Sequence, residues 1–141
     1  MKKIAIASDH GGYELKQILI EILDDLKYDV ADMGTYDKDV SVDYPDYGHF
    51  LAKAIITGEA EIGVIICGTG IGISMAANRH GIRAALCHDV TTARLSRAHN
   101  NANVLALGAR IIGTEVAKEC LMAFLETEFE GGRHTGRVEK I

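Results

Sequence analysis

Tryptophan is absent from this chain, proline occurs once and cysteine only three times. Cysteines 67, 87 and 120 form no CxxC pair and no even disulfide framework, so they read as free thiols in a reducing, cytoplasmic compartment. No apolar run approaches the roughly 20 residues of a membrane-spanning helix. Met1-Lys2-Lys3 leads directly into a strand pattern, without the apolar region of a secretory signal. Positive charge is also in deficit: 15 Lys and Arg against 20 Asp and Glu leave −5 at pH 7, which argues against a broad nucleic-acid surface. The six histidines show no HExxH or other compact ligand spacing, so no catalytic metal is expected.

Nucleotide signatures are missing as well. Gly68-Thr69-Gly70-Ile71-Gly72 lacks the Lys-Ser/Thr of a phosphate-binding P-loop. It also departs from GxGxxG and follows the third predicted strand instead of the first, which disfavours a nicotinamide cofactor.

What the chain does contain is alternation of two periods. Apolar runs at Lys3–Ala7, Tyr28–Met33, Ile62–Ile66, Ile82–Cys87 and Val104–Leu107 read as strands. Between them, apolar residues recur at helical spacing: Leu15 to Leu26, Tyr47 to about Thr57, a small-residue stretch after Gly72, Val90 to about Ala98, and Thr114 to Leu125. The acidic stretch Gly34–Asp46 reads as a loop ended by Pro45, and His99 to Asn103 as an interruption. With 141 residues, this pattern predicts one domain, 1–141: a three-layer α/β/α, Rossmann-like sandwich around a five-stranded, mainly parallel sheet. Strand order is not readable.

Polar residues cluster where strands end: Asp9 and His10 after the first, Cys67 and Thr69 after the third, His88 and Asp89 after the fourth. In a parallel sheet such ends share one edge, where ligands bind. A buried, inert thiol is the ordinary meaning of a cysteine, and Cys87 and Cys120 fit it. Cys67 differs, because neighbouring glycine amides and a helix N-terminus favour thiolate, a nucleophile or general base. The amides from Gly68 to Ser74 suit an oxyanion site. His10 and His99 are candidate proton donors or acceptors, while His49, His80 and His88 have weaker settings. Arg133 and Arg137, four apart, form a candidate phosphate clamp with Arg110, although scattered terminal charges are usually solvated. Tyr44 is a candidate substrate-side contact within an otherwise solvated acidic loop.

Together Ser8-Asp9-His10-Gly11-Gly12, Cys67-Gly68-Thr69-Gly70-Ile71-Gly72-Ile73-Ser74, Ala77-Asn78-Arg79, His99-Asn100 and the Arg133/Arg137 pair resemble the ribose-5-phosphate isomerase B family over nearly the whole chain. The resemblance implies aldose-ketose isomerisation of ribose 5-phosphate without metal or organic cofactor. It implies Cys67 as the base moving a proton between C2 and C1, His99 as the acid that opens the sugar ring, and Asp9 and Thr69 assisting. Gly68, Thr69, Gly70, Ile71, Gly72 and Ser74 would stabilise the enediolate. Asn100 would position the sugar, and His10, Arg110, Arg133 and Arg137 would hold its phosphate. Some family members use a glutamate just beyond the glycine run as base; Ser74-Met75-Ala76 stands there instead. The family further implies a homodimer or dimer of dimers with active sites at the subunit interface. An allose-6-phosphate or related hexose-phosphate isomerase, and a non-catalytic sugar-phosphate-binding module, are the rival readings.

Overall fold

The computed structural model describes residues 2–141; Met1, with which the Met1-Lys2-Lys3 reading begins, lies outside them. Five strands form the sheet: β1 (Lys3–Ser8), β2 (Asp29–Asp32), β3 (Ile62–Cys67), β4 (Ala84–Leu86) and β5 (Val104–Gly108). Their order is β2-β1-β3-β5-β4, and every neighbouring pair is parallel, so the expected mainly parallel sheet is wholly so among the described residues. The helices are α1 (Tyr13–Asp25), α2 (Tyr44–Ile56), α3 (Ile71–Asn78), α4 (Val90–Asn100), α5 (Thr114–Glu126) and α6 (Arg133–Val138).

Side-chain alternation along the central strands builds two cores. Ile4, Ile6, Val64, Ile66, Leu105 and Leu107 face α1, α4 and α5 in one. Ala5, Ala7, Ile65, Cys67, Val104 and Ala106 face α2 and α3 in the other. Both faces are thus covered, as a parallel sheet requires. Cys87 and Cys120 are buried in the first core, which bears out their packing role. Burial raises the Cys87 thiol above its ordinary value and takes Cys120 to about 11.

Several boundaries shift by a residue or two from the sequence pattern, and three of the differences have a clear cause. Helix α2 begins at Tyr44, not Tyr47, because Pro45 occupies its first turn, where no N–H is needed, instead of closing the loop. Helix α4 runs through Asn100 before Asn101 enters the left-handed region and ends it, so His99 and Asn100 are helical. Strand β4 is shorter than Ile82–Cys87; it is an edge strand paired only with β5.

Candidate active site

From β1 the chain moves to β2 on one side, and β3 then lies on the other side of β1. The loops leaving β1 and β3 therefore diverge at the carboxyl edge of the sheet, the position where parallel sheets bind ligands. Asp9 lines it from β1: its amide donates to the Ile66 carbonyl at 3.3 Å, and its Oδ1 accepts from the Gly12 amide at 3.0 Å. That bond holds the 3-10 turn His10–Gly12, whose Gly11 lies against Gly68. His10 Nδ1 accepts the Val42 amide at 3.1 Å, which leaves the ring proton on Nε2 as a donor.

On the β3 side, Cys67 is only 5% exposed and its Sγ accepts the Gly70 amide at 3.1 Å. Gly70 makes the turn possible. Its φ of 78° is left-handed, and a Cβ there would stand 2.8 Å from the Leu107 carbonyl carbon. The Ile71 amide is taken by Thr69 Oγ1 at 3.2 Å, and the Ser74 amide by the Gly70 carbonyl. The Gly72 and Ile73 amides, in the first turn of α3, have no helical acceptor and are the donors suited to an oxyanion. Ser74 Oγ donates within the helix to the Ile71 carbonyl at 2.8 Å, so its hydroxyl is engaged there.

Two further side chains close over this turn. The Tyr44 ring lies on Gly72, in space that any Cβ would claim, which explains the glycine. Arg110 donates its amide to the Gly68 carbonyl at 2.9 Å, and its side chain flanks Gly68, adding positive charge. Asp9, His10, Tyr44, Cys67 to Gly72 and Arg110 thus share one edge.

His99, Asn100, Arg133 and Arg137 lie at the other edge. Helix α4 starts after β4 and runs back about 15 Å antiparallel to the strands. Its C-terminus is tied to the strands' amino ends: Arg83 Nε donates to the Asn101 carbonyl, and the Asn103 carbonyl accepts from Gly63. Cys67 stands four residues beyond Gly63 on β3, about 13 Å further along. One chain alone therefore does not bring His99 to Cys67.

At this amino edge His99 stacks on His134 with ring centroids 4.3 Å apart, and Glu130 lies beside both imidazoles. Burial, then His99 and Arg133, hold the His134 imidazolium below its ordinary range. Glu130 and His134 were not among the expected site residues. Their i,i+4 spacing was the available signal, but it points to nothing until α4 packs on it. Arg133 and Arg137 are both exposed on α6, one turn apart. His49 and His80 pair with each other between α2 and the end of α3, at 2.7 Å.

Comparison with known proteins follows the same outline. Residues 4–141 match the Ribose/Galactose Isomerase family. Ribose-5-phosphate isomerase B of Escherichia coli is 47% identical, over 100% of this chain and 95% of that protein. The crystal structure of a ribose 5-phosphate isomerase from Thermotoga maritima superposes with a TM-score of 0.96 at 51% identity, covering 99% of this chain and 96% of that one. A structure of ribose-5-phosphate isomerase B from Mycoplasma genitalium with bound ribulose-5-phosphate gives a TM-score of 0.92 at 42% identity, covering 98% and 92%.

Proposed function

The chain belongs to the ribose/galactose isomerase family, and we propose that it interconverts D-ribose 5-phosphate and D-ribulose 5-phosphate by cysteine-based proton transfer. The observation that carries the mechanism is the Gly70 amide on Cys67 Sγ, at the carboxyl edge where the loops of β1 and β3 part. Cys67 thiolate removes the C2 proton of the open-chain aldose and returns it to C1. Between those steps the charge rests on an enediolate oxygen, facing the Gly72 and Ile73 amides and the N-terminal end of α3. The hydroxyl proton passes from O2 to O1, which completes the isomerisation, with Asp9 and Thr69 beside the path. Nothing in these steps calls for a metal or organic cofactor.

His99 is the acid that protonates the ring oxygen on opening, and it reaches the site from a second copy of the chain. The opposite placement of Cys67 and His99 supports a homodimer, alone or paired as a dimer of dimers, in which two-fold symmetry completes two equal sites. His10 and Arg110 meet the phosphate from one chain; Arg133 and Arg137, with Asn100 on the sugar, meet it from the other. Three free cysteines fit a single domain working in the reducing cytoplasm. Among the described residues no helix is long and apolar enough to cross a membrane.

The test is a panel of pentose and hexose phosphates offered to the parent and to Cys67→Ala. The parent should prefer ribose 5-phosphate in kcat/KM, and Cys67→Ala should lose about 10²–10⁴-fold in kcat together with exchange of the C2 proton into solvent. A preference for allose 6-phosphate would move the reading to a hexose-phosphate isomerase. A parent that binds sugar phosphates but neither isomerises nor exchanges them would leave a binding module.

A further inference from the structure

The amino edge of the sheet holds a cluster that the isomerase chemistry does not use in full. We infer that His99, Glu130 and His134 form a binding site for a borderline divalent transition metal such as Zn²⁺. One ligand atom from each of the three lies within 4.8 Å of the other two. Glu130 Oε1 stands 3.9 Å from His99 Nε2 and 3.6 Å from His134 Nε2. Tetrahedral zinc with bonds of about 2.0–2.2 Å sets its ligands roughly 3.4 Å apart, so the two edges to Glu130 need to close by only a few tenths of an ångström, while the imidazoles, stacked at 14°, must swing out of their stack to aim both Nε2 lone pairs at one ion. Glu130, exposed at 58%, is free to make that adjustment.

The backbone holds the three residues in place. The Glu130 amide donates to the Ala98 carbonyl at 3.0 Å, which anchors Glu130 beside His99. Gly131 and Gly132, both at positive φ, turn the chain, and the His134 amide then bonds the Gly131 carbonyl at 3.0 Å. His134 packs flat on His99 with only 11% of its side chain exposed. Arg97 fixes the same junction from below, donating to the carbonyls of Ala102 at 2.6 Å and Thr127 at 3.2 Å.

Donor type selects the ion. Two imidazoles and one carboxylate suit zinc, whereas hard magnesium or calcium calls for an all-oxygen shell. Arg133 and Arg137 on α6 oppose added positive charge, so directed bonds to nitrogen must provide the affinity. Two histidines and a glutamate leave the fourth position to water or to a substrate oxygen. Because the proposed acid is one of the ligands, bound metal takes His99 Nε2 out of proton transfer, and zinc becomes a reversible inhibitor. That consequence rests on the role given to His99 above; the binding itself does not.

The experiment is a zinc titration of the native protein, read by calorimetry and by isomerase activity, on the parent and on Glu130→Gln, His134→Ala, His80→Ala and Cys67→Ser. One zinc per chain is expected in the parent, His80→Ala and Cys67→Ser. Glu130→Gln and His134→Ala should bind at least about tenfold more weakly, since even an outer-shell change costs that much. Inhibition reversed by chelator, and shifted to higher zinc in Glu130→Gln, completes the expected result. Undiminished binding in both Glu130→Gln and His134→Ala, or loss of binding in His80→Ala or Cys67→Ser, overturns the site. One zinc bound at the cluster without inhibition upholds the site and contradicts the acid role of His99.

Discussion

Three free thiols share this chain, and their surroundings give them different chemistry. Cys87 and Cys120 face the core beneath α4 and α5, and burial keeps both protonated; at about 11, Cys120 has on the order of one thiolate per thousand near pH 8. Cys67 lies at a strand end with an amide aimed at its sulfur. Iodoacetamide at about pH 8 should therefore give one adduct per native chain, at Cys67, slowed by saturating ribose 5-phosphate. Mass-mapped labelling of Cys87 or Cys120 in native protein would contradict this. Cys67 was legible because an apolar run followed by a glycine turn marks a strand end. The inward hydroxyl of Ser74 was not, because an amide beside a ligand and a hydroxyl folded back on its own helix look alike in sequence. Nor was His134, which acquires its partner only when α6 packs on α4.

Helices were read from their period, and the corrections fall at their ends, where one residue's backbone decides. Asp89 caps α4, accepting the Thr92 amide at 2.7 Å, and chiefly that bond holds its carboxyl below the ordinary 3.8. A depressed carboxyl adds stability above its unfolded value and loses it as pH falls through the folded one. Asn caps as well but does not titrate, so Asp89→Asn should narrow the fall in Tm between about pH 6 and about pH 3. An unchanged fall would show that the cap charge contributes nothing. Between α1 and β2, Lys16 is fully buried and donates to Asp32 Oδ1 at 2.7 Å, below the Tyr13 and Tyr36 rings. The sequence pattern placed Asp32 in a strand and gave it no role, whereas it is the partner of a buried cation. Removing it strands that charge, at about 3–5 kcal/mol. Lys16→Met leaves only a part-exposed carboxylate and should cost less. Urea unfolding of Asp32→Ala and Lys16→Met compares them, and equal losses would contradict the burial argument.

At the scale of the molecule, the alternation of strands and helices gave the layers but not the order of the strands. That order comes from long-range pairing of β3 between β1 and β5, which no local pattern carries. It matters because the loops of β1 and β3 part only where the order reverses; the parallel direction of β4 and β5 in turn sends the C-terminus of α4 to the opposite edge. The sequence motifs named most of the groups at the carboxyl edge, yet could not show that His99, Asn100 and the two arginines stand apart from them within one chain. Proton transfer by Cys67 and ring opening by His99, as proposed, would therefore need two chains per site, base from one and acid from the other. Cys67→Ala and His99→Asn proteins, each inactive as a homodimer, should be unfolded, mixed in equal amounts and refolded together. Half of the dimers would be mixed and each would hold one intact site, so ribose 5-phosphate isomerase activity should return to about a quarter of the parent's. A mixture no more active than its two components would contradict a site built from Cys67 of one chain and His99 of the other.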